Sequence, residues 1–175
     1  MAKSQARTRS PAAQAIRESV PHILERLGVP VSELVNDSRK AAPGAVFAAY
    51  PGEMRDGRDF IPQAVAQRID GVLWDADRFQ WDPALPVANA GVVDLRHRIG
   101  EIAAHIYGEP SRALHMVGIT GTNGKTSVAH WIAQALTRLG RKTAIVGTVG
   151  NGFPGALTPT LNTTPDAIAL QQRLA

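Results

Sequence analysis

The sequence predicts an α/β fold: a small N-terminal α/β domain followed by the truncated start of a domain built on a parallel sheet. Three observations predict it. Short apolar runs of strand character alternate with helical patterns up to residue 110. A longer apolar run, Leu114–Ile119, enters a glycine-rich turn and leaves it as an amphipathic helix. A further apolar segment, residues 143–149, then supplies the second strand of a βαβ unit, which in a parallel sheet crosses over right-handed.

Taken in order, residues 1–18 form a basic arm, because Lys3, Arg7, Arg9 and Arg17 precede the first acid, Glu18. Terminal segments are commonly unpinned, so the arm is expected to be flexible and solvated. Nucleic-acid binding or organellar targeting are the competing readings of such an Arg-rich start. From Ser19 to Leu27, the residues Val20, Ile23, Leu24 and Leu27 share one helical face, and Gly28 with Pro30 stops the helix. Extended segments follow at 31–35, 46–50, 72–74 and 92–95, with a helix over 60–69 between the second and third. Leu95, Ile99, Ile102, Ala103 and Ile106 predict an amphipathic helix ending at Gly108, and Glu109-Pro110-Ser111 a hinge. The first domain is therefore expected over 19–110 and the second from 111 to 175.

In the second domain the helix after the glycine turn should bury Val128, Trp131, Ile132, Ala135, Leu136 and Leu139 on one face and stop at Gly140. Residues 150–163 read as a loop. Thr164 is then expected as the N-cap of a last helix, with Pro165 in its first turn and Asp166 beside its positive end. One βαβ unit plus one helix cannot cover both faces of a parallel sheet, so this domain is expected to be incomplete.

Composition narrows the chemistry. Hydrophobic residues make up 44% and charged residues 19%, as in ordinary globular chains. No apolar run reaches the roughly 20 residues of a membrane span, and nothing near the N-terminus has the pattern of a signal peptide. A cytoplasmic monomer with neither membrane nor nucleic-acid partner is expected. The absence of cysteine excludes disulfides, thiol nucleophiles and cysteine-based metal sites. His97, His105, His115 and His130 show no metal-ligand spacing among themselves, so surface or core roles are expected for them.

The strongest chemical signal is Gly118-Ile119-Thr120-Gly121-Thr122-Asn123-Gly124-Lys125-Thr126. Glycines let a loop bend tightly around a phosphate chain, so that amide N–H groups point inward, and the positive end of the following helix adds to the attraction. In that setting Lys125 reaches the terminal phosphates and the Thr126 hydroxyl suits a magnesium ion bridging them. ATP with Mg2+ is the expected ligand. The generic phosphate-loop signature has its two glycines at a different spacing: here they fall at 118, 121 and 124.

That departure has its own form. Thr120–Thr126, Thr-Gly-Thr-Asn-Gly-Lys-Thr, resembles the loop of the Mur ligase family and its folylpolyglutamate synthase relatives letter for letter. Asp37-Ser38-Arg39, Pro43-Gly44, Val46-Phe47-Ala48-Ala49 and Gly52 through Asp56-Gly57-Arg58-Asp59-Phe60-Ile61 resemble the uridine-nucleotide domain of the MurE and MurF types, which folylpolyglutamate synthases lack. Gly147-Thr148-Val149-Gly150-Asn151 and Asn162-Thr163-Thr164-Pro165 resemble the MurE substrate loop.

The resemblance implies an ATP-dependent amide ligase of peptidoglycan precursor synthesis. It would add meso-diaminopimelate to UDP-N-acetylmuramoyl-L-alanyl-D-glutamate through an acyl phosphate, with L-lysine as the alternative amino acid. It further implies that Asn36, Ser38 and the Glu53-Met54-Arg55 turn contact the UDP part of the UDP-N-acetylmuramoyl-dipeptide. Asn162, Thr163 and Thr164 would contact its sugar-peptide part. Gly121, Thr122, Asn123, Gly124, Lys125, Thr126 and Ser127 would hold ATP, Lys125 and Thr126 being catalytic and Thr126 the magnesium ligand. Without the family, Asp37-Ser38-Arg39 reads as a polar turn after a strand and Thr164 as a helix cap.

The remaining parts that the family implies are missing from these residues: a downstream acid and histidine at the magnesium, a lysine often carbamylated, and the domain that reads the amino acid. The 175 residues alone are therefore expected not to catalyse. Two other readings compete, a stand-alone UDP-sugar or nucleotide-binding module and a small P-loop kinase or assembly ATPase.

Overall fold

A computed structural model describes residues 17–159 and 165–175. The chain divides into two compact units between Arg96 and His97.

The first unit is a four-stranded sheet of β1 (Glu33–Val35), β2 (Ala45–Ala49), β3 (Gly71–Asp75) and β4 (Ala88–Val92), all parallel and in that spatial order. Its strands are short and apolar because a parallel sheet is covered on both faces; every residue of β2 is buried. Register sorts the side chains by face. Phe47 lies beside Val72, and with Val35, Ala45, Ala49, Ile61 and Ala64 they form one core, to which α2 (Ile61–Ala66) contributes the last two. The opposite parity carries Leu34, Val46 and Leu73, each fully buried. On that side Gly71 lies under α1 (Val20–Leu27): an added Cβ would meet Leu27 and Val29 at 3.1 and 3.2 Å. Burying such side chains contributes roughly 1.5–3 kcal/mol each. Helix α1 starts after Ser19, stops at the left-handed Gly28 as expected, and is tied to β4 by Arg26, which donates to the Gly91 carbonyl at 2.7 Å.

Two expectations in this unit shift. The fourth strand runs over Ala88–Val92 instead of 92–95, and Leu95 already opens a helix. Ala88-Asn89-Ala90-Gly91 carries no β-branched residue to announce a strand; pairing with β3 makes it one. The helix expected over 60–69 is shorter because Gly57–Phe60 forms a 3-10 turn ahead of it and Arg68, at φ 60°, lies beyond its end.

The second unit begins within α3 (Leu95–Ile106) and includes a 3-10 turn at Pro110–Ala113, α4 (Lys125–Arg138), the antiparallel meander β5 (Ile145–Gly147), β6 (Gly150–Phe153) and β7 (Ala156–Thr158), and α5 (Ala167–Leu174). Its last helix is held to the end of α3 by Gln172, which donates to the Tyr107 hydroxyl at 2.9 Å.

Five expectations fail here. Residues 114–119 form no strand, and Leu114, Met116 and Val117 are exposed. An extended segment becomes a strand only where a neighbour pairs with its N–H and C=O groups, and no described segment does. Nor does the segment around 145–147 complete a parallel crossover: it turns through Thr148-Val149 and pairs antiparallel with β6. The stretch expected as a loop from 150 supplies β6 and β7, joined through Pro154-Gly155 with Gly155 at φ 87°. The apolar face of α4 is largely exposed, Trp131 at 69% and Leu139 at 78%, while Ala133 is its buried residue. Finally, α5 is capped by Asp166, whose carboxylate accepts from the Ala169 amide at 2.9 Å. The helix therefore begins two residues beyond the expected start, since Asp caps at least as well as Thr.

Candidate functional site

The first unit holds a cavity of about 670 Å³ lined by Asn36, Asp37, Ser38, Arg39, Phe47, Ala48, Tyr50, Gly52, Arg55, Gly57, Phe60 and Gln63. It forms where the ends of β1 and β2 give way to turns, the usual place for a ligand on a parallel sheet. Asp37 caps a 3-10 turn over Ser38–Lys40 by accepting from the Arg39 amide at 3.0 Å. That turn leaves Ser38 buried, where its hydroxyl donates to Gln63 Oε1 at 3.0 Å. Asn36 Nδ2 donates to the Tyr50 hydroxyl, also at 3.0 Å.

The cavity's outer wall is the turn from Pro51 to Asp56, bridged at its base. Two glycines permit it. The Gly52 amide donates to the Arg55 carbonyl at 2.8 Å and the Gly57 amide to the Tyr50 carbonyl at 3.0 Å. A Cβ at Gly57 would stand 2.7 Å from that Tyr50 oxygen. Arg58 fixes the turn to β3. Its guanidinium grips Asp56 through Nε and Nη2, donates from Nη1 to the carbonyls of Asp75 (3.2 Å) and Asp77 (2.7 Å), and lies 5.0 Å over the Phe79 ring. Hydrogen bonds from Arg58 hold the Asp56 carboxyl below its ordinary pKa. Hydrogen bonds from Arg39 likewise bring the Asp37 carboxyl down to about 2. Both acids are anionic at neutral pH, and neither suits a general acid.

Of the residues expected at the uridine-nucleotide site, the structure brings Asn36, Ser38 and Arg55 into one cavity. Glu53 and Met54 are not among its lining residues. Met54 is 95% exposed, and Glu53 reaches Arg96 at 3.6 Å on the surface. Asn162, Thr163 and Thr164 lie outside the described residues. Sequence reading did not single out Tyr50 or Gln63. Tyr50 had a signal, an aromatic with a polar tip between a buried strand and Pro-Gly; Gln63 had none apart from being polar in the first turn of a helix.

The second candidate is the loop at the N-terminus of α4. Gly124 caps the helix in the left-handed region at φ 78°, with no side-chain cap, so the first-turn amides of Lys125, Thr126 and Ser127 have no side-chain oxygen on them. Gly121, at φ 147°, turns the chain within the loop. The Lys125 ammonium folds back onto the carbonyls of Gly121 and Thr122, at 2.5 and 3.3 Å. The loop is thus curled, with its one cation held over it and the whole segment 121–127 exposed. An uncapped helix end, a glycine turn and a lysine fit a polyphosphate, and the exposed Thr126 hydroxyl fits an accompanying magnesium ion. Among the described residues no three His, Asp or Glu side chains cluster to hold a metal ion by themselves.

A family model described as the Mur ligase family catalytic domain matches residues 30–107, and one for the Mur ligase middle domain matches residues 119–175. The chain is 54% identical over 156 residues to the UDP-N-acetylmuramoyl-L-alanyl-D-glutamate–2,6-diaminopimelate ligase of Chromobacterium violaceum, covering 89% of this chain and 32% of that protein. It is 52% identical over 153 residues to the ligase of the same name from Nitrosomonas europaea, covering 87% and 29%. Among solved structures, one ligase of that name shares 30% identity at a TM-score of 0.66, over 83% of this chain and 29% of the other. MurF from Acinetobacter baumannii, at 24% identity and a TM-score of 0.53 over 82% and 27% of the two chains, shares the fold. The chain thus spans between 29% and 32% of the length of these two curated relatives. With two Mur ligase domain models matched in tandem and relatives above half identity over most of its residues, the chain belongs to the Mur ligase family.

Proposed function

We propose that this chain is the N-terminal part of an ATP-dependent amide ligase of peptidoglycan precursor synthesis, one that adds meso-diaminopimelate to UDP-N-acetylmuramoyl-L-alanyl-D-glutamate in the cytoplasm. In this reading residues 19–110 take the uridine nucleotide and residues 111–175 begin the ATP site. The observation that carries it is a cavity whose wall unites Asn36, Ser38 and Arg55 in a chain that also carries the curled Gly121–Lys125 loop. Relatives named as diaminopimelate ligases favour that amino acid over lysine.

The division of work follows from the residue types. Aromatic walls at Phe47, Tyr50 and Phe60 suit a flat base, and Arg55 with Arg39 supplies positive charge for a diphosphate. At the loop, backbone amides and Lys125 would hold and neutralise the phosphate oxygens, and the Thr126 hydroxyl would hold the magnesium ion. Bound ATP would supply the phosphoryl group that activates the substrate carboxylate. Such transfer rests mainly on positioning and charge neutralisation, which is what this loop offers.

Calorimetric titration of the chain with UDP-N-acetylmuramoyl-L-alanyl-D-glutamate should show saturable binding. Lys125→Ala should leave it unchanged while weakening Mg-ATP binding about tenfold or more, about 1.4 kcal/mol for the lost charge-assisted contact. Loss of UDP-sugar binding in Lys125→Ala would overturn the division between the two regions.

A further inference from the structure

Resting on the uridine-nucleotide reading, we infer that Gln63 is a specificity-determining residue that fixes Ser38 as a hydrogen-bond acceptor. The cavity then selects a base that donates an N–H, uracil, over one that presents a lone pair there, cytosine.

Ser38 is one of three buried polar or charged residues among the described residues, with 7% of its surface exposed. A serine hydroxyl has one proton to give and two lone pairs to offer. Its proton is directed to Gln63 Oε1 at 3.0 Å, so the oxygen meets a ligand in the cavity only as an acceptor. The surrounding lining includes Phe47, Tyr50 and Phe60, flat surfaces suited to a base. Uracil carries its ring N3 as N–H, whereas cytosine carries it as a bare acceptor. Against an acceptor-only Ser38, uracil completes a hydrogen bond and cytosine sets two lone pairs against each other. A desolvated mismatch of that kind costs more than a missing bond, because neither group recovers its water.

Gln63 itself is exposed on α2, so its replacement does not disturb the core. Removing its carbonyl frees the Ser38 proton to rotate toward the cavity and serve either base.

The test is calorimetric titration of the chain with UDP and with CDP, for the natural sequence, Gln63→Leu and Gln63→Glu. The natural chain should prefer UDP by about tenfold or more. Gln63→Leu should bring the ratio of the two dissociation constants toward one, chiefly by improved CDP binding. Gln63→Glu, which keeps an acceptor at the same reach, should retain the preference. Unchanged melting temperatures identify the effect as one on recognition. If UDP binds but Gln63→Leu keeps the full preference, or the natural chain has none, the inference about Gln63 is overturned and the nucleotide reading survives. If neither nucleotide binds, the uridine-nucleotide reading itself falls.

Discussion

Replacing Arg58 by methionine should strongly destabilise the first unit. Methionine keeps most of the apolar stem and removes the guanidinium. Its Nη2 lies 2.6 Å from Asp56 Oδ2, its Nη1 satisfies two backbone carbonyls, and 11% of the side chain is exposed. Hydrogen bonds to charged groups contribute about 1.5–3 kcal/mol each when partners are left unpaired, and the stacking on Phe79 about 0.5–1. Simple addition overshoots, because the Asp56 side chain is 31% exposed and regains water when released. A net loss of about 2–4 kcal/mol is expected, below the upper range for breaking a wholly buried pair. For a unit of this size that lowers the melting temperature by roughly 10 °C or more. Trp74 and Trp81, stacked 5.9 Å apart beside Phe79, give the assay. Their emission should shift on urea unfolding, followed in a Trp131→Phe background because Trp131 is 69% exposed. Lysine at 58 should recover less than half the loss, since it cannot fork between a carboxylate and two carbonyls. A loss under about 0.5 kcal/mol for Arg58→Met, the level of an ordinary surface change, would refute the clamp.

Two further outcomes follow from the turns around the cavity. Gly57→Ala should destabilise the unit by about 1–3 kcal/mol, because the new methyl would stand 2.7 Å from the Tyr50 carbonyl oxygen; urea unfolding that matches the natural chain would contradict it. Acid should weaken the first unit through Asp37 and Asp56. Both have folded pKa values lowered by hydrogen bonds from arginine, to about 2 for Asp37. The stability they add is therefore full above the unfolded value of about 3.9 and is lost as pH falls through each lowered folded value, about 2 for Asp37. Asp37→Asn with Asp56→Asn should flatten urea midpoints across that window, and an unaltered slope would show that other carboxylates set it.

Much of the first unit was legible in the residues because its information is local. Helix α1 announces itself by four apolar side chains on one face and a glycine that takes the left-handed stop. Ser38 and Arg55, which line the cavity, stand in turns built from Asp caps and glycines within a few positions. What escaped depends on distant partners. Strand β4 lacks β-branched residues in its first four positions and exists through its pairing with β3. Gln63 meets Ser38 only because folding brings together positions 25 apart.

The second unit makes the same point from the opposite side. The loop was legible as a curl because Gly121, Gly124 and Lys125 act within five residues of one another. The strand before it was not, although Leu114–Ile119 has a strong apolar pattern, because pattern records an appetite for burial and a strand is made by a neighbour's hydrogen bonds. The exposed row of Met116, Val117, Val128, Trp131 and Leu139 carries the same appetite. Those five side chains are the ones that a parallel sheet and its helix would bury first. Apolar periodicity therefore marked side chains that stay exposed among the described residues, while the loop between them depends for its shape on left-handed glycines and a helix end. That separation lets residues 120–126 keep a cradle's curvature without a paired strand in front of them.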